Sequence, residues 1–358
     1  MTERWMIYGA NGYTGRLVAK LAVARGERPL LAGRNADAVG RLAADLGLEH
    51  LVVDLHDAPA LRSALDGVDA VAHCAGPFSA TSAPMVDACL AAGVHYLDVT
   101  GEVVVFEAVA RRHAEAEAAG VVLLPGSGFD VVPTDCLAGM LVAALPDAVA
   151  LELAFIVGGG SSRGTALTGV GVTAVGGLRR VGGKLVPTPF GSPRRAVPFP
   201  SGTRSLGAMT WGDLATAYQS TGIGDITVYG PVPVNGPVTR AASAVIQRAL
   251  RYGPVRGLAT QVIRRSVSGP DDATRATTDC EVWGEVRNAA GQVRSATLTG
   301  PNAYDLTADA VVRAVRYVMA GTGPAGPIAP GSHTPATALG VDFVRELDGV
   351  RVTVAPPV

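Results

Sequence analysis

The chain has 358 residues, 48% hydrophobic and 17% charged, which is room for two domains with sizeable cores and too apolar a composition for disorder. Its 30 basic and 31 acidic residues leave a formal net charge of −1, so no global field recruits nucleic acid or acidic membranes. No uninterrupted apolar stretch reaches the roughly 20 residues of a membrane span and residue 5 already opens a strand, so a soluble cytoplasmic protein with no transmembrane span is expected. Cys74, Cys89, Cys136 and Cys280 form no CxxC pair and no zinc spacing with histidine, which points to reduced thiols and no metal.

Residues 5–9 read as an apolar strand that breaks into Gly9-Ala10-Asn11-Gly12-Tyr13-Thr14-Gly15 and continues as a helix over 14–25. Three glycines spaced three apart between strand and helix let backbone N–H groups approach a pyrophosphate at the positive helix end. Residues 29–33 read as the second strand, closing at Gly33 and followed by Arg34. An NAD-selective chain carries Asp or Glu near this strand end. The guanidinium of Arg34 can instead fork onto a 2′-phosphate, which points to NADP(H); an exposed structural arginine is the alternative.

The helix over 36–46 has Asn35 before it and Gly47 after it. A third strand at 51–53 ends in Asp54-Leu55, where side chains border the adenine. A fourth at 70–73 runs into Cys74-Ala75-Gly76-Pro77-Phe78, whose small residues let the chain pass under the ribose and nicotinamide. Helices at 84–92 and 106–119 and strands at 95–99 and 121–125 complete a regular βα alternation. The fold class expected is therefore α/β: a Rossmann-type doubly wound parallel sheet with an inserted α+β domain containing an antiparallel sheet.

Past Pro133 a helix reaches about residue 145, and 148–157 reads as a strand. Residues 158–210 are rich in Gly, Pro, Ser and Arg and read as loops around a site. A helical pattern at 238–265 sets Val245, Ile246, Ala249 and Leu250 against Arg240, Arg248 and Arg251, with a break at Gly253-Pro254. Its arginines could serve an acidic carrier protein, an anionic membrane surface or simply a solvated exterior. Residues 280–286 and 293–299 alternate around a turn as an antiparallel hairpin, and helices are expected at 307–319 and 335–347. The resulting division is 1–132 for the NADP-binding domain, 133–302 for the substrate domain, and 303–358 for a return onto the first domain.

Five segments resemble the saccharopine dehydrogenase-like oxidoreductases, including the trans-acting enoyl reductase branch. They are 8–15, Ala32-Gly33-Arg34, 74–78, Tyr96-Leu97-Asp98-Val99-Thr100-Gly101-Glu102, and 126–135, which begins Gly126-Ser127-Gly128-Phe129-Asp130. A weaker echo lies at Gly300-Pro301-Asn302-Ala303-Tyr304 and again at 333–336. The resemblance covers about 1–145 and 280–347, and implies a pyridine-nucleotide fold with NADPH-dependent reduction but no particular substrate.

Asp130 and Glu102 belong at the strand ends where ligands bind, as candidates to place or relay a proton. Each has a plainer role open to it: Asp130 as a cap for the helix near Pro133, Glu102 as a first-turn carboxylate in its own helix. Tyr304 is a third candidate proton donor or else packs under the returning helix. No tyrosine is followed four residues later by lysine, which sets aside the short-chain dehydrogenase mechanism. His73, His95 and His333 are isolated and read as structural. The expected reaction is hydride delivery to a polarised C=N or C=C bond of a small-molecule or carrier-protein-bound substrate, with a homodimer left open. A non-catalytic NADP-binding scaffold and an amino-acid dehydrogenase of the saccharopine type are the other readings.

Overall fold

The computed structural model describes residues 4–232, 245, 248–250 and 252–355. The chain divides into two compact units, Met1–Val132 with Tyr304–Asp348, and Pro133–Ala303 with Gly349–Val358.

The first unit is built on β1 (Trp5–Tyr8), β2 (Leu30–Gly33), β3 (His50–Val52), β4 (Ala70–His73), β5 (His95–Asp98) and β6 (Val122–Leu124). With Gly331–Ser332 at one edge they form a parallel sheet ordered 331–332, β6, β5, β4, β1, β2, β3. β1, β2, β4 and β6 are buried at every position, as central strands covered by helices on both faces must be. The strand order reverses between β1 and β4, the place where open α/β sheets take ligands at the carboxyl ends of their strands.

Local chemistry explains the helices. Asn35 accepts the Ala38 N–H at 2.9 Å and Gly47 ends that helix at φ 65°. Asp57 caps Ala58–Ala64, a helix the sequence reading omitted although Asp57-Ala58-Pro59 carries both an N-cap and a first-turn proline. The helix expected from 84 begins at Phe78 and carries Pro84 inside it. The one expected over 106–119 is two, Val103–Ala110 and His113–Ala119. The one expected over 335–347 stops at Leu339, where Gly340 at φ 86° starts a 3-10 turn over Val341–Glu346.

In the second unit a sheet runs in the order Arg194–Phe199, Gly202–Ala208, Asp225–Gly230, Ala148–Val157, Cys280–Asn288, Val293–Gly300, Arg351–Val354. Only the pairing of 225–230 with 148–157 along this path is parallel. Two corrections follow. Residues 158–210 are not mainly loops: they hold the helix Arg163–Val175 and strands Gly177–Val181, Lys184–Thr188, Arg194–Phe199 and Gly202–Ala208. And the segment after 303 does not all return to the first unit, because Arg351–Val354 pairs with Val293–Gly300 in the second sheet.

The helical pattern at 238–265 falls partly outside the described residues, Arg240, Ile246 and Arg251 included. Within them a helix spans Gly253–Ser266, beginning at the expected break. Val245 is exposed rather than on a buried side. Among the described residues no helix is long and apolar enough to cross a membrane, and no group of acidic, histidine or cysteine side chains is arranged to hold a metal. The four cysteines are free, and burial pushes Cys74 and Cys280 up to about 12.

Candidate coenzyme site

The turn after β1 is closed by its own backbone: Gly9 and Ala10 N–H donate to Ala32 O at 2.8 and 3.1 Å, and Gly12 N–H to Gly9 O at 2.9 Å. Gly9 has φ 79°, and a Cβ there would lie 2.8 Å from the Ala75 Cβ, so this glycine sets how closely the β1 turn meets the β4 loop. A Cβ on Gly15 would meet Ala10 Cα at 2.9 Å, and one on Gly33 would meet Asn11 Oδ1 at 3.0 Å. The helix Tyr13–Ala24 starts from Gly12 with no side-chain cap and no acidic residue in its first turn. Gly9, Asn11, Gly12, Tyr13 and Thr14 are half-exposed, whereas Ala10 and Gly15 are buried. This is a half-exposed glycine turn with no carboxylate in the first turn of the helix it opens, at a positive helix end, and those features suit a diphosphate.

Arg34 follows β2 and is exposed; among the described residues it has neither a hydrogen-bond partner nor a carboxylate partner. Asp54 turns back on its own loop, accepting the His56 N–H at 2.9 Å. Both charges act on the Tyr8 hydroxyl, which donates to Val53 O at 3.0 Å. Burial pushes Tyr8 up to about 12, opposed by Arg34 and reinforced by Asp54. Leu55 and Phe78, both expected at the coenzyme, have their side chains in the core.

The β4 loop is pinned from two sides. The Gly76–Pro77 bond is cis, and Gly76 and Pro77 are exposed above it. Thr81 Oγ1 lies 2.7 Å from Ala75 O, 3.1 Å from Pro77 O and 3.1 Å from His73 Nε2. His73 is buried among Tyr8, Phe78 and Tyr96, and burial pulls its pKa down to about 3, so it stays neutral. From the other side Glu102 accepts Phe78 N–H at 2.7 Å and Ser79 N–H at 3.1 Å. Glu102 therefore caps not its own helix but Phe78–Ala92, with an anion at that helix's positive end.

Asp98 ends β5 and ties it to β6. Its carboxylate accepts from Tyr96 Oη at 2.6 Å, Thr100 N–H at 2.9 Å and Gly126 N–H at 2.8 Å. Burial raises it to about 6 against those hydrogen bonds. Asp130 lies beside it across Gly101, whose missing Cβ would stand 3.0 Å from Asp130 Oδ2. Burial first, then the charges of Glu102 and Asp98, push the Asp130 carboxyl up to about 7. Three carboxyls thus share one strand-end edge, and they cannot all ionise without cost. Tyr304 is brought elsewhere, edge-on to the Tyr13 ring at 4.8 Å between centroids. His95 and His333 serve the backbone, accepting Val122 N–H at 3.0 Å and lying 2.9 Å from Ala329 O.

Sequence reasoning missed His73, Thr81 and Asp98 as members of this edge. Asp98 stood within a resembling segment; His73 and Thr81 left no signal, since their contact depends on the turn at Gly76–Pro77.

Residues 5–124 match the family model for the saccharopine dehydrogenase NADP binding domain. The trans-acting enoyl reductase of Mycobacterium leprae is 31% identical over 138 residues, covering 36% of this chain and 33% of that protein. A probable mitochondrial saccharopine dehydrogenase-like oxidoreductase of Arabidopsis thaliana is 31% identical over 150 residues, covering 36% and 32%. The chain thus spans about a third of the length of these curated relatives. Saccharopine dehydrogenase (L-Glu forming) of Saccharomyces cerevisiae superposes with a TM-score of 0.65 at 12% identity, over 99% of this chain and 100% of that one, a likeness of fold.

Proposed function

With an NADP-binding domain of the saccharopine dehydrogenase kind over residues 5–124 as premise, we propose that the chain is an NADPH-dependent reductase of a polarised C=C or C=N bond. Bound NADPH supplies the hydride. The rest of the chemistry falls to the chain. Gly9, Gly12 and Gly15 admit the diphosphate to the helix end, and the free guanidinium of Arg34 pairs with the 2′-phosphate. Glu102 and the His73–Thr81 pair hold the loop at Gly76–Pro77 in place, so Glu102 acts as a positioning residue.

Asp130 is the proton holder. Reduction adds a hydride to one atom of the double bond and a proton to the other, so a donor must be protonated near neutral pH. An exposed aspartate is not. Asp130, pushed up to about 7, keeps its proton in a large share of molecules there, and this single observation supports the reductase reading most strongly. Tyr304, seated against Tyr13, is assigned to packing of the glycine turn. The substrate is an enoyl or imine compound, free or carried on a protein, in keeping with relatives named as enoyl reductase and saccharopine dehydrogenase-like oxidoreductase.

The test is NADPH oxidation with panels of enoyl thioesters and cyclic imines. Turnover of one class, with D130N lowering kcat while leaving NADPH affinity intact, supports the reading. No oxidation with any member of either panel counts against it.

A further inference from the structure

We infer that the helix Gly253–Ser266 docks the protein on an anionic lipid surface. The first observation is one of charge. Between Asp225 and Asp271 the sequence contains Arg240, Arg248, Arg251, Arg256, Arg264 and Arg265 and no acidic residue, in a chain whose acids and bases otherwise nearly balance. The second concerns apolar exposure. Of 13 large hydrophobic side chains exposed among the described residues, Val245, Tyr252, Val255, Leu258 and Val262 fall within this one segment.

Geometry joins the two. Val255, Leu258 and Val262 are spaced three and four apart and so share one side of the helix, at 42, 64 and 55% exposure, with Tyr252 at its N-cap at 69%. Thr260 and Ile263, on another side, are half-buried, as is Ala259 at the edge of the row, and the helix packs against Arg163–Val175. Arg163 Nε ties the far end by donating to Val267 O at 3.1 Å. The water-facing apolar row is therefore not the face the fold uses. Arg265, three residues after Val262, shares that side and is exposed, and Arg256 on the same helix and Arg248 before it are exposed as well. Apolar side chains of Leu, Val and Tyr in a segment that carries arginines and no carboxylate are what an interfacial helix presents to acyl chains and lipid phosphates.

A second copy of the chain fits poorly, because a two-fold contact would set this arginine-bearing segment, itself without acids, against its own copy. A bilayer also takes up a row of protruding side chains without a matching groove.

The experiment is co-sedimentation of the full chain with vesicles of equimolar phosphatidylcholine and phosphatidylserine, beside vesicles of phosphatidylcholine alone. The expected result is binding to the anionic vesicles that high salt reverses, with much weaker binding to the neutral ones. L258D with V262D should weaken it at least about tenfold. R256A and R265A should each weaken it roughly fivefold. None of the four positions belongs to the coenzyme turn, so thermal unfolding and NADPH titration of each variant check its fold. Should the aspartate pair not fold, the arginine variants alone decide. Absence of binding to the anionic vesicles overturns the inference, as does binding indifferent to these substitutions. Salt-sensitive capture of an acidic protein without vesicle binding, or a dimer that the variants dissociate, overturns it equally.

Discussion

Replacing Asp130 with asparagine separates a buried, proton-holding carboxyl from an ordinary surface one. Burial and the neighbouring charges of Glu102 and Asp98 move its pKa from the ordinary 3.8 up to about 7. Between those two values the folded chain holds a proton that the unfolded chain has released. Asp130 therefore stabilises the fold, relative to its ionised form, in acid, and that contribution is lost as pH rises through about 7. The whole span corresponds to about 4 kcal/mol. Part of the Asp130 residue reaches the surface although its carboxyl is buried, and it shares its proton balance with Asp98, which reduces the measurable effect to about 1–2 kcal/mol. The asparagine variant has no such dependence. Urea unfolding at about pH 5 and about pH 8, read on the transition that NADPH shifts, should show D130N gaining about two-thirds of that amount over the parent at the higher pH. An equal offset at both pH values would mean the carboxyl is ionised throughout, and the proton-holding role would fall with it.

The remaining predictions bear on the coenzyme turn and the loop below it. R34A should weaken NADPH about 10- to 100-fold and leave NADH unchanged, since the lost contact belongs to the 2′-phosphate; equal losses for both would remove Arg34 from the site. G9A forces a Cβ at φ 79° to within 2.8 Å of the Ala75 Cβ. It should lower stability by about 2 kcal/mol and abolish NADPH binding in calorimetry, and full affinity would refute the close-approach argument. E102Q keeps one acceptor but loses the anion at the Phe78 and Ser79 N–H groups. Thermal unfolding should show a loss of about 1 kcal/mol, with weaker NADPH binding, and an unchanged melting temperature would deny Glu102 its capping role.

The parts of the fold legible in the sequence are those fixed by local chemistry. Buried runs such as Met6-Ile7-Tyr8 and Val71-Ala72, and punctuation such as Asn35 and Gly47, each speak for themselves within a few residues. Residues 158–210 are opaque because their strands are short and mostly exposed or half-exposed, and their glycines and prolines read as punctuation even where 202–207 pairs with Arg194–Phe199. The glycine turn and Arg34 could be read as a site because strand, turn and helix follow one another directly. The carboxyl cluster could not. Glu102 looks like a residue of its own helix until the fold brings it to the start of Phe78–Ala92, 23 and 24 residues away. Likewise Asp98 clamps Gly126 only once β5 and β6 pair.

Calorimetric titration of the unmodified chain with NADPH, and in parallel with NADH, bears most directly on everything proposed for the first domain. A saturable heat with NADPH, at an affinity at least about tenfold above that for NADH, is the outcome required of a glycine turn backed by an uncompensated Arg34. No heat with either nucleotide, or a preference for NADH, would contradict it.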